Sequence, residues 1–142
     1  CTIIQELMLE SFAISLYRSA GEGAKGELAT LFAAVAGEEE AHLDHAVQML
    51  TGEYELDPVA FTAKMKELHD DVMTVLAEMV GRRDSIDHCG LCTTSCVKES
   101  LGLVNLDIAV MRGKAINGYL RALDRVGLPG EETLQWTARL PV

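Results

Sequence analysis

The chain has 142 residues, 22 Asp and Glu against 12 Lys and Arg, and a formal net charge of −10. That length suits one domain, residues 1–142, large enough to bury a core without disulfide staples. The acidic balance, with no basic stripe, excludes an ordinary nucleic-acid binder. It disfavours anionic membranes and raises the local concentration of cations, metal ions included. No apolar run is long enough to span a bilayer, and no signal peptide is visible. The first residue is Cys1 rather than Met, inside what reads as a helix, so a processed or trimmed chain is expected.

Helical periodicity dominates from the start, and β-branched runs bounded by turn residues are scarce. Helix A is predicted over about residues 2–20, with a seam of Ile3, Leu7, Glu10, Ile14 and Tyr17, ended by Gly21 and Gly23. Helix B is predicted over about 25–50, with a seam of Leu28, Phe32, Val35, Glu39, His42, Ala46 and Met49, and with Gly52 closing it. Alternating spacings of four and three put each set on one inward stripe. Asp57-Pro58 reads as a helix start, Asp as the cap and Pro in the first turn. Between helices B and C an eight-residue link either crosses part of the bundle or turns tightly. Helix C then runs to about Val80 on Phe61, Met65, Leu68, Val72, Val75 and Met79.

Residues 81–92 read as a loop. Thr93, Thr94 and Ser95 are cap candidates for helix D, which runs to about Arg125 on Val97, Leu101, Val104, Ile108, Met111 and Ala115. Gly127 and Pro129 end it, and a short last helix over about 131–139 carries Trp136. Four long helices with short links predict an all-α four-helix bundle with a short C-terminal helix.

Glu10, Glu39 and His42 break the apolar rule of their own seams. A buried carboxylate without a partner is costly and protonates instead, so two glutamates and a histidine on facing seams call for a cation. Carboxylates can bridge two hard cations and an imidazole can cap one. Glu10-x6-Tyr17 with Glu39-x-x-His42, inside the string Glu38-Glu39-Glu40-Ala41-His42, resembles the A/B half of the ferritin, rubrerythrin and bacterioferritin superfamily over about residues 3–50. The resemblance implies a ferritin-like bundle. It implies Glu10 and His42 as terminal ligands of a di-iron or di-manganese site, Glu39 as a bridging ligand and Tyr17 as a neighbouring tyrosine. It further implies an oxidoreductase or ferroxidase reacting with O₂ or peroxide.

Helices C and D depart from that pattern. Their seams are apolar, and helix D has no Glu-x-x-His. Three arrangements are open: a dimer or larger homo-oligomer pairing two A/B halves, as short encapsulated ferritins are similar in doing; an intrachain site that recruits His69, Asp71 or Glu99; or a metal-free buried polar network. Glu38, Glu40, Asp44 and His45 read as a solvated face, and Tyr17 also fits plain core packing.

Four cysteines occur, three within eight residues: Cys89, Cys92 and Cys96, beside His88. That is no disulfide framework, and it points to a cytoplasmic chain with a redox or metal cluster. The start of helix D would lower the thiol pKa at Cys92. Cys89 and Cys92 then form a candidate catalytic dithiol. Zinc held by Cys89, Cys92 and Cys96, or inert thiols, are the alternatives. Beside the di-metal reading there thus stand a thiol redox protein and a metal-free helical interaction module.

Overall fold

A computed structural model of the chain describes residues 2–81 and 108–138. These form five helices: α1 (Thr2–Gly23), α2 (Glu27–Leu56), α3 (Pro58–Gly81), α4 (Ile108–Val126) and α5 (Gly130–Thr137). Among the described residues there is no strand. No helix among them is long and apolar enough to cross a membrane. The all-helical class read from periodicity therefore holds.

The N-terminal α1–α2 hairpin has the most extensive helix packing among the described residues, and α4 lies along both helices. The core where they meet holds Leu7 and Met8 of α1, Ala46, Val47 and Leu50 of α2, and Tyr119, Ala122, Leu123 and Val126 of α4. Met65 of α3, Leu128 and Trp136 of α5 close one end of it. Gly118 of α4 faces Ser11 of α1, where a Cβ would make an ordinary contact, 3.8 Å from the Ser11 carbonyl oxygen.

Local chemistry sets most helix ends. Asp57 caps α3 as expected: its carboxylate accepts the Ala60 amide at 3.0 Å, and Pro58 occupies the first helical position. At the end of α4 Gly127 takes φ 108°, the Leu128 amide donates to the Leu123 carbonyl at 3.2 Å, and the Gly127 amide donates to Asp124 at 3.0 Å. These two bonds make a Schellman closure, which needs a residue tolerant of positive φ. Tyr54 also lies against Gly127, where a Cβ would sit 2.9 Å from its ring.

One expected end is corrected. Helix α2 does not stop at Gly52; it continues to Leu56, and Asp57 alone separates it from α3. The eight-residue link does not exist. Glycine in a helix costs about 1 kcal/mol, and here Tyr54, packed edge-on against Phe61 at 5.8 Å, holds the extra turn in place. Gly81, expected to open the loop, ends α3 instead; the rest of the predicted loop (82–92), the first part of helix D, and Cys1, Cys89, Cys92 and Cys96 lie outside the described residues.

Candidate metal centre

Seam spacing brings Glu10 of α1 and Glu39 and His42 of α2 together. One ligand atom from each lies within 4.8 Å of the others, and this is the only such group of three metal-binding side chains among the described residues. The His42 Nδ1 lies 3.1 Å from Glu39 Oε2 and 3.6 Å from Glu10 Oε1. The i, i+3 spacing on α2 puts the histidine and Glu39 over one turn, and Glu10 reaches them across the helix pair.

The burial differs from the expectation of a closed seam. The Glu10 side chain is 16% exposed and that of Glu39 21%, but His42 is 64% exposed. Leu31 and Met49, on the same side of α2 as His42, are 57% and 46% exposed. The buried face of α2 is turned away from this stripe, toward Ala36, Ala46, Val47 and Leu50. A repeat of four and three selects one face of a helix; it does not say what covers that face. Here α4 covers the neighbouring face, and the stripe carrying His42 opens outward.

The electrostatics are those of a cation-binding group. Burial, together with the adjoining Glu39 carboxylate, pushes the Glu10 carboxyl up from 4.5 to about 7, against a smaller opposing pull from His42. The two carboxylates face each other, Glu39 hydrogen-bonds His42 Nδ1 at 3.1 Å, and Glu10 stands 3.6 Å from the same nitrogen. A divalent cation would take up the surplus negative charge, and two oxygen donors with one imidazole suit iron, manganese or zinc. The residues present thus fit a metal ion.

Tyr17 lies two helical turns from Glu10 and stacks on Phe32 with ring centroids 6.3 Å apart, a packing contact between α1 and α2. Glu38, Asp44 and His45 are exposed as expected, whereas Glu40 is half-buried and pairs with Arg18.

His69 does not join the cluster. It is buried, with Nε2 3.1 Å from the Trp136 carbonyl oxygen and Nδ1 3.1 Å from the Tyr119 hydroxyl. A carbonyl only accepts, so Nε2 carries the proton, Nδ1 accepts, and Tyr119 donates. Both ring nitrogens are engaged, which removes His69 from the intrachain ligand set considered above. Its ring lies parallel to that of Tyr119, 5.8 Å away. Burial lowers the His69 pKa below 6.5, against a smaller raising effect of the Trp136 carbonyl. Burial also raises that of the Tyr119 phenol. Tyr119 was missed in the sequence although the helix D seam continues from Ala115 through it to Ala122 and Val126.

No protein-family model, characterised protein or solved structure matches the chain.

Proposed function

We propose that the chain is a ferritin-like four-helix metalloprotein in which Glu10, Glu39 and His42 form half of a carboxylate-bridged dinuclear iron or manganese site. A second copy of the chain supplies the other half. The reading makes it an oxidoreductase of the ferroxidase kind, using O₂ or peroxide. One observation carries it: three metal-ligating side chains from two helices converge within 4.8 Å on an outward-opening stripe. Two carboxylates and one imidazole are too few to hold two metals, and two such sets give four carboxylates and two imidazoles, the complement of helical di-metal proteins. Exposed Leu31 and Met49 give that stripe apolar surface for a second copy to cover.

When bound, the metal pair supplies redox equivalents and Lewis acidity. The chain's own part is to bind and orient. Glu39 lies nearest His42 and is the candidate bridge; Glu10 and His42 are the candidate terminal ligands; Tyr17 stands in the same helix pair as a redox-active side chain.

Metal analysis of protein purified without chelator, paired with light scattering, tests the reading. The expected result is about one iron or manganese per chain in a dimer or larger assembly, with chelation dissociating it, because a ligand that binds only the paired state stabilises it by mass action. Metal-free protein that takes up no added Fe(II), or a monomer that holds two metals, overturns it.

A further inference from the structure

The groove between α1, α2 and α4 gathers positive charge in an acidic chain. It encloses about 470 Å³. Four of the chain's 12 lysines and arginines stand in its wall: Arg18 from α1, and Lys114, Arg121 and Arg125 from α4. Only two carboxylates, Glu22 and Glu40, share that wall. The α4 cations recur at spacings of seven and four and so lie on one stripe.

Three of the four have partners. Arg18 pairs with Glu40, Lys114 with Glu22 at 2.9 Å, and Arg125 with Asp44 at 2.7 Å. Each pair joins two different helices, so together they brace the rim. Arg121 forms no ion pair or hydrogen bond among the described residues, and the Asn117 amide one turn earlier on α4 is likewise without a partner there. A guanidinium fork and an amide N–H₂ side by side offer donors in the arrangement that a carboxylate or phosphate accepts. Apolar Ile14, Leu43 and Ala122 share the lining with the buried Ser11 and Ser15, whose hydroxyls are already hydrogen-bonded to backbone carbonyls.

We propose that this groove binds a small organic anion: a carboxylate or phosphate head held by Arg121 and Asn117, with a short apolar body laid on Ile14, Leu43 and Ala122. Lys114 and Arg125 supply field rather than direct contact, since their charges are already engaged. The volume suits a ligand of this size. None of Glu10, Glu39 and His42 lines the groove, and binding there does not require a metal in that centre.

The test is calorimetric titration of the full chain, with and without Fe(II), at fixed ionic strength. Benzoate and phenyl phosphate serve as probes, and chloride and benzyl alcohol as controls. Binding of at least one organic anion, with neither control binding, is the expected result; which one binds identifies the head group. Arg121→Ala weakens binding at least about tenfold, and Arg121→Lys retains part of it. Lys64→Ala, which removes an exposed cation of α3, leaves it unchanged. Arg121 is exposed and unpaired among the described residues, so its removal leaves folding intact, and the far-ultraviolet circular dichroism of each variant checks that. No binding of either anion, equal binding by chloride, or unaltered binding in Arg121→Ala overturns the assignment.

Discussion

His69 and His42 are each the centre of a polar cluster on helices, and the two clusters are built on opposite principles. Around His69 every strong donor meets an acceptor: the Tyr119 hydroxyl to Nδ1, Nε2 to the Trp136 carbonyl. All three residues are buried. Around His42 two carboxylates face each other, only Glu39 hydrogen-bonds Nδ1, at 3.1 Å, Glu10 stands at 3.6 Å, and the imidazole is largely in solvent. A closed, balanced network has nothing left to bind and acts as structure. An unbalanced and open one keeps binding capacity. Hydrogen-bond balance and cover thus separate the same residue type on the same kind of element into a structural network and a candidate site.

The largest effect that tests this contrast is on metal binding. Glu39→Ala should abolish stoichiometric Fe(II) uptake, because even the partners of metal ligands are worth roughly 10–100-fold in affinity. His69→Ala should leave uptake unchanged. Titration with Fe(II) under anaerobic conditions checks both. Full uptake by Glu39→Ala, or loss of it in His69→Ala, would reverse the roles assigned to the two clusters.

Stability should respond the other way round. Tyr119→Phe keeps the ring but leaves the buried Nδ1 of His69 without a donor, at a cost of about 1–3 kcal/mol. Glu10→Gln, in metal-free protein, removes one of two facing carboxylates and should be neutral or stabilising near pH 7. Urea midpoints at constant slope measure both. A Tyr119→Phe midpoint equal to that of the parent chain would mean that the His69 network contributes nothing.

What could be read in advance follows from how local each determinant is. The Asp57-Pro58 start and the Gly127 end were legible because cap chemistry acts within a few residues. So was the meeting of Glu10 with Glu39 and His42, since seam register fixes which residues of neighbouring helices face each other. The passage of α2 through Gly52 was not legible, because the support comes from Tyr54 packing on Phe61 and against Gly127. The exposure of His42 depends on which helix covers which face, and heptad spacing carries no such information. The His69–Trp136 bond joins residues 67 apart, beyond any local signal. The basic groove was hidden for a similar reason: Arg18 and the α4 cations look like scattered surface charge until α1 and α4 pack together.

The two clusters also predict opposite pH slopes for the metal-free chain. The folded state holds His69 below 6.5, so as the pH falls past 6.5 the unfolded chain takes up a proton that the folded chain resists. Stability is lost in that direction. Glu10 behaves inversely: its folded value near 7 exceeds 4.5, so between those values the folded chain binds the extra proton, and stability is lost as the pH rises. The two trends partly cancel in the parent chain. Glu10→Gln should unmask the His69 trend, giving a steeper gain of stability from pH 5 to 7, followed by urea midpoints across that range. An unchanged profile would show that Glu10 is not held above its ordinary value.

The smallest expected effect concerns a third kind of polar contact, the exposed pair. Lys114 and Glu22 join α4 to α1 at 2.9 Å, yet the side chains are 42% and 67% exposed. Water and salt screen such a pair, and the entropy of fixing two long side chains offsets most of the attraction, leaving about 0.2–1 kcal/mol. If burial and balance decide what a polar contact is worth, a double-mutant cycle of Lys114→Ala and Glu22→Ala should give a coupling in that range. The coupling should shrink further at 1 M salt, where the screening length falls to about 3 Å. The cost of Tyr119→Phe should not change with salt, since the groups it disturbs are buried and neutral. A coupling for the exposed pair as large as the Tyr119→Phe cost would mean that the ion pairs bracing the three helices, and not the buried network, contribute more to holding α4 in place.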